Sequence, residues 1–142
     1  MSLTAANATI MLTVANLFDT PVQLQGFAAD DVFDTDTIET AEVSMGVDGN
    51  MSAGFVWKEV TQGFSLQADS QSILLFDQWY TAQITNAEVF FANGVILLTA
   101  VGKKWSMRKG VLRGYKPIPD AGKILKPQKF NIVWERVIPA VV

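Results

Sequence analysis

Seven acids fall between Phe27 and Asn50: Asp30, Asp31, Asp34, Asp36, Glu39, Glu42 and Asp48, with no lysine or arginine among them. Carboxylates so closely spaced could bind calcium, act as an acid–base pair or form a charged wall. An EF-hand loop needs oxygen ligands at positions 1, 3 and 5, Gly at 6 and Glu at 12. Counted from Asp34, Ile38, Glu39 and Met45 fill positions 5, 6 and 12. Counted from Asp31, Phe33, Thr35 and Asp36 fill positions 3, 5 and 6. Neither register works, which leaves at most weak surface binding. Glycosidic cleavage needs one acid in an apolar pocket beside a sugar cleft, whereas acids crowded into one hairpin make a charged face. Gly46, Gly49 and Gly54 are not followed by a GK[ST] signature or a helix start, and acidic neighbours repel phosphate, so they read as turn glycines.

The second cluster is basic. KKWSMRKGVLRGYK carries Lys103, Lys104, Arg108, Lys109 and Arg113, interleaved with Trp105 and Tyr115. Such a run either stacks and neutralises nucleic acid or is a strand pair whose bases face solvent or a partner. The acidic pI of about 4.8 makes nucleic acid a poor primary ligand. The chain has no cysteine and no histidine. A disulfide framework, a thiol nucleophile, a histidine base and the usual zinc ligands are therefore all missing. The residues point away from catalysis, and no cofactor is expected.

The net charge of −3 conceals a strong polarity. Residues 1–57 hold eight acids and no base, residues 58–102 hold Lys58 against four acids, and residues 103–142 hold ten bases against Asp120 and Glu135. The segments sum to −8, −3 and +8. Oppositely charged regions either sit solvated on the surface or attract each other on neighbouring copies.

Elements that could position these charges follow from periodicity. A chain of 142 residues fits one domain, expected to span 1–142. Period-two alternation dominates. In ATIMLTV, Ala8, Ile10, Leu12 and Val14 share a face, and TQGFSLQA repeats this with Phe64, Leu66 and Ala68. Asp48-Gly49 and Asn93-Gly94 each lie between strand-like arms and predict two hairpins. FNIVWERVI predicts a late strand. Only ADSQSILLFDQWYTAQI reads as a helix, of about a dozen residues, with Asp69, Ser70 or Ser72 as N-cap and Ile73, Phe76 and Tyr80 on one stripe beside Leu75, Trp79 and Ala82. GYKPIPDAGKILKPQ is too rich in proline and glycine for regular structure and predicts an exposed basic loop. The expected fold is mainly antiparallel β, a sandwich or barrel with one flanking helix and a long hairpin. The start lacks the positive n-region of a signal peptide and no apolar run suggests a membrane helix, so no membrane anchoring is expected.

The order of these features resembles the tail tube proteins of bacteriophages, especially those of contractile tails. The resemblance covers most of the chain. It rests on FAADDVFDTDTIETAEVSMGVDGNMSAGFV, then on FSLQADSQSILLFDQWY leading into the lone helix, and on the basic hairpin and strand-forming C-terminus. It implies the tail-tube fold, hexameric rings joined into a continuous barrel, and rings stacked head-to-tail into a tube for genome passage. The implied partners are other copies of the chain, with sheath, baseplate and tail terminator proteins, and DNA only as passing cargo. The implied location is the virion tail, assembled in the host cytoplasm. Carried onto this sequence, arms around residues 22–33 and 37–46 would form the inner wall, with Asp30, Asp31, Asp34, Asp36, Glu39 and Glu42 on or at the ends of it. Lys103, Lys104, Arg108, Lys109 and Arg113 would make the contacts between rings. A rival reading is a monomeric β-sandwich that binds carbohydrate on exposed aromatics such as Trp57, Trp79 or Trp105. An outer-membrane barrel is a weaker rival, having too few strands and no apolar belt.

Overall fold

The computed structural model describes residues 8–25 and 33–141. In chain order the elements are β1 (Ala8–Val14), β2 (Phe18–Gln23), β3 (Phe33–Thr35), β4 (Ala41–Met45), β5 (Met51–Phe55), β6 (Val60–Leu66), α1 (Ile73–Asn86), β7 (Ala92–Leu98), β8 (Lys103–Gly114) and β9 (Gln128–Val141). Seven strands form one antiparallel sheet in the order β2-β1-β7-β8-β9-β6-β3. Among the described residues the other two, β4 and β5, pair only with each other.

The prolines agree with this order. Proline lacks the N–H that a strand with two neighbours needs. Pro21 lies in β2, at the end of the sheet, and Pro139 lies in the part of β9 that pairs with β8 alone.

The sheet curls around its core. Ile10, Leu12 and Val14 of β1 share one buried cluster with Phe64 and Leu66 of β6. Three strands separate β1 from β6, and at about 4.8 Å per strand a flat sheet would hold them roughly 19 Å apart. The helix fills the space between. Ile73, Leu75, Phe76 and Trp79 are its buried residues. Phe76 stacks on Phe130 of β9 at 4.4 Å and 8°, and the Trp79 indole N–H donates to the Phe90 carbonyl at 2.9 Å. Burying this stripe, rather than helix propensity, supplies most of the helix's stability.

Ser72 occupies the N-cap position without a side-chain cap bond. Its hydroxyl instead accepts from the Gln25 N–H at 2.7 Å, while Ser70 Oγ donates to the Gln25 carbonyl. The serines thus tie the chain after β2 to the start of the helix. At the other end Ala87 adopts a left-handed conformation, and the N–H groups of Ala87 and Glu88 bond back to Ile84 and Gln83.

One expected hairpin is absent. Asn93-Gly94 lies inside β7, which runs unbroken between β1 and β8. A Cβ on Gly94 would stand 2.9 Å from both Leu12 Cδ2 and Met107 Cε, so this glycine permits close strand packing rather than a turn. Asn93 Oδ1 accepts the Lys109 N–H at 3.2 Å, where the β7–β8 register shifts. Lys109 itself has φ 50°. The chain turns after β7 at residues 99–102 instead, ending on Gly102 with φ 67°.

Candidate functional site

The Asp48-Gly49 turn forms as its sequence implies. Gly49 has φ 87°, the Gly46 N–H donates to the Asn50 carbonyl at 2.7 Å, and Asp48 accepts from both the backbone and side-chain amides of Asn50 at 3.1 and 2.9 Å. The Asn50 backbone N–H, then its side-chain amide, holds the Asp48 carboxyl below its ordinary value.

The turn joins β4 to β5, the hairpin that its sequence predicts. Of the segment 22–33, Val22 and Gln23 end β2 against β1, and Phe33 begins β3 against β6. Of the segment 37–46, Ala41–Met45 pairs with Met51–Phe55. The turn chemistry at 46–50 fixes this local pairing, because closing a short loop costs less entropy than joining distant segments.

The candidate acids have different surroundings. Asp30 and Asp31 lie outside the described residues. Asp34 is tied within the fold: Oδ1 accepts the Gly63 N–H at 3.1 Å and Oδ2 meets Lys129 Nζ at 3.2 Å. Its carboxylate fastens the short terminal strand β3 to β6 and β9. Asp36 and Glu39 are exposed between β3 and β4, and Glu42 is exposed on β4. Among the described residues, no three acids gather as a metal-binding group.

Register sorts the hairpin into two unlike faces. Ala41 opposes Phe55, Val43 opposes Ala53 and Met45 opposes Met51, so these six apolar residues share one face. Glu42 opposes Gly54 and Ser44 opposes Ser52 on the other face. All ten are exposed, with Val43, Met45, Met51 and Phe55 each at 60% or more. The apolar face was absent from the sequence reading, though period-two alternation around a correctly placed turn contains it.

Lys103, Lys104, Arg108, Lys109 and Arg113 are all exposed and all on β8. Ten residues of extended strand separate the first from the last, roughly 33 Å. A compact run in sequence is therefore a long row in space. Lys109 lies 3.6 Å from Glu135 and over the Phe91 ring at 5.0 Å, so one member is already engaged within the chain.

The three tryptophans of the carbohydrate reading share no platform. Trp79 is fully buried, Trp105 is partly buried, and Trp57 is 69% exposed with the Arg136 guanidinium 4.2 Å from its ring. Trp105 lines an apolar cavity of about 390 Å³ with Phe33, Ile38, Ile96, Leu98 and Val137. This cavity opens where β3 and β7, at distant places in the sheet order, face each other.

The family model described as "Tail fiber protein gp32" matches residues 1–138, and the chain belongs to that family. No curated protein sequence matches it. Among solved structures it is similar to a chain of the anti-feeding prophage tube terminating cap, with 11% identity, a TM-score of 0.60, and coverage of 100% of this chain and 93% of that one. A chain of the PVC sheath-tube complex, from an extracellular contractile injection system in its extended state, gives 15% identity, a TM-score of 0.59, and coverage of 94% and 88%. A chain of the 6-fold symmetrised anti-feeding prophage baseplate gives 13%, 0.57, and coverage of 100% and 99%. At these identities the likeness is one of fold. The chain has the tail-tube fold, mainly antiparallel β with one flanking helix, that the sequence resemblance implied.

Proposed function

We propose that this member of a phage tail-component family is a structural virion protein whose copies close into hexameric rings and stack head-to-tail into a tube for genome passage. The observation that carries the reading is the exposed, two-faced β4–β5 hairpin. A two-stranded hairpin is marginal in water by itself, yet this one has a defined turn, a defined register and an uncovered apolar face. It has the form of an element completed by assembly. Among the described residues, the β2 and β3 strands at the two ends of the sheet also leave edges that a neighbouring copy can pair.

Charge suits a conduit. Duplex DNA carries one negative charge per roughly 1.7 Å and adheres to positive surfaces by counterion release. An acidic wall avoids that adhesion, and screening over about 8 Å keeps the repulsion short-ranged. Asp36, Glu39 and Glu42 are the exposed acids available for it, and the bases of β8 are available for contacts between rings. Head-to-tail stacking is heterologous and does not close, which gives an extended tube. In this reading the protein is not an enzyme, its tail partners include sheath, baseplate and terminator proteins, and assembly takes place in the host cytoplasm.

Sedimentation velocity with negative-stain electron microscopy tests the reading. Rings or tubes are expected as the concentration rises. A chain that remains monomeric at high concentration, with no rings or tubes, overturns it.

A further inference from the structure

We propose that Tyr80 and Tyr115 form an oxidative modification site, where a peroxide-driven one-electron oxidant joins the two rings as dityrosine and ties α1 to the end of β8. The proposal concerns the single chain and stands apart from the ring reading.

The chain has two tyrosines, and they stack on each other with ring centroids 4.3 Å apart and planes at 22°. Tyr80 lies on α1 and Tyr115 directly follows β8. Asp77 and Tyr80, three residues apart on the helix, are neighbours on its surface, and both meet Tyr115. The Tyr115 hydroxyl donates to Asp77 Oδ1, and its ring lies 5.7 Å from that of Phe130. Tyr115 is partly buried, whereas Tyr80 is 40% exposed. One ring is thus held in place while the other is open to an oxidant.

An oxidised phenol is a strong acid, so oxidation is easiest where a base takes the proton as the electron leaves. The pKa of Tyr115 is raised to about 12, so at neutral pH it holds a proton that must leave with the electron. The Asp77 carboxylate receives it, and water serves Tyr80. Each tyrosine loses one electron and one proton. The two phenoxyl radicals couple at carbons ortho to their oxygens, forming one C–C bond between the rings. The hydrogens on those carbons then shift to the oxygens and restore aromaticity. The two electrons and two protons, including the one passed to Asp77, reduce one hydrogen peroxide to two waters. A chain without cysteine has no disulfide, and this bond restricts the unfolded chain in the same way.

The test uses the dilute full-length chain, a haem peroxidase and one equivalent of hydrogen peroxide at neutral pH. The chain should gain dityrosine fluorescence and lose the mass of two hydrogen atoms. Trypsin should then release peptide 59–103 joined to peptide 114–123, since Pro117 blocks cleavage after Lys116. The linked chain should melt about 5 °C or more above the untreated one. Tyr80→Phe and Tyr115→Phe should each abolish the link. Asp77→Asn should slow it by about tenfold or more while the circular dichroism spectrum stays that of wild type.

A link that joins two copies of the chain, or that forms as fast in urea as in buffer, overturns the proposal. Oxygen added to Trp57 with both tyrosines intact overturns the choice of site. An unchanged rate in Asp77→Asn overturns the role of its carboxylate as proton acceptor.

Discussion

Gly110 of β8 faces the indole of Trp134 across the β8–β9 pair so closely that a Cβ at 110 would stand 2.4 Å from its Cε3. Trp134 is fully buried, and its indole N–H donates to Gln62 Oε1 at 2.9 Å. The ring is held by its hydrogen bond on one strand and by the missing side chain on another.

Gly110→Ala should therefore destabilise the fold by about 1–3 kcal/mol through overpacking. Gly54→Ala is the matched control, since nothing lies within 4 Å of its added methyl. Thermal melts followed by circular dichroism should show a lower Tm for the first variant and an unchanged or slightly higher one for the second.

Asp34→Ala and Lys129→Ala should differ although they break the same ion pair. The pair is exposed, so losing Lys129 should cost about 1 kcal/mol or less. Removing Asp34 also takes the acceptor from the Gly63 N–H and should add about 1 kcal/mol, the usual net worth of such a bond. Chemical denaturation should rank Asp34→Ala below Lys129→Ala. Equal midpoints would show that the Gly63 bond contributes nothing.

Tyr115 should titrate late. Burial, followed by the hydrogen bond its hydroxyl donates to Asp77 and the charge of that carboxylate, pushes it from 10.0 up to about 12. The raised value means that the folded state disfavours the phenolate. The contribution to stability is complete below pH 10 and is lost as pH rises towards 12. An ultraviolet titration of the chain's two tyrosines should show one step near pH 12, moved to lower pH by Asp77→Asn.

Lys103→Glu, Lys104→Glu and Arg108→Glu combined should impair stacking, because three reversals replace attraction to acidic neighbours by repulsion. All three side chains are exposed, so the monomer should keep its fold. Sedimentation at moderate ionic strength should show smaller assemblies than wild type, and added salt should narrow the difference by screening. Unchanged polymerisation would remove β8 from the contacts between rings.

Much of the architecture is legible in the sequence because its signals are local. Alternation in ATIMLTV gives β1 with Ile10, Leu12 and Val14 inward. Asp48-Gly49 gives a turn because a left-handed residue is needed there and glycine supplies it. The apolar periodicity of Ile73, Phe76 and Tyr80 beside Leu75 and Trp79 gives the only helix among the described residues, though the buried face runs through Ile73, Leu75, Phe76 and Trp79 and leaves Tyr80 exposed. The proline-rich run 115–127 holds no strand or helix.

The failures have one cause. Asn93-Gly94 carries the same local signal as Asp48-Gly49, yet contacts from Leu12 and Met107, remote in sequence, keep it extended. The pairing of β3 with β6 is likewise absent from any local pattern, since the partner of a strand depends on which edge folding leaves free. Asp34 looked like one acid among many until Gly63 and Lys129 were brought beside it.

By itself, then, the sequence determined the element types, the polarity of charge from one end of the chain to the other, and the lack of histidine and cysteine chemistry. Those properties reside in residue identity and short-range backbone preference. Tertiary structure alone decided which strands pair beyond the local β4–β5 hairpin, that Gly94 makes room where Gly49 turns, and which face of the hairpin is left uncovered. These depend on side chains far apart in the chain meeting at van der Waals distance, and no local pattern encodes that meeting.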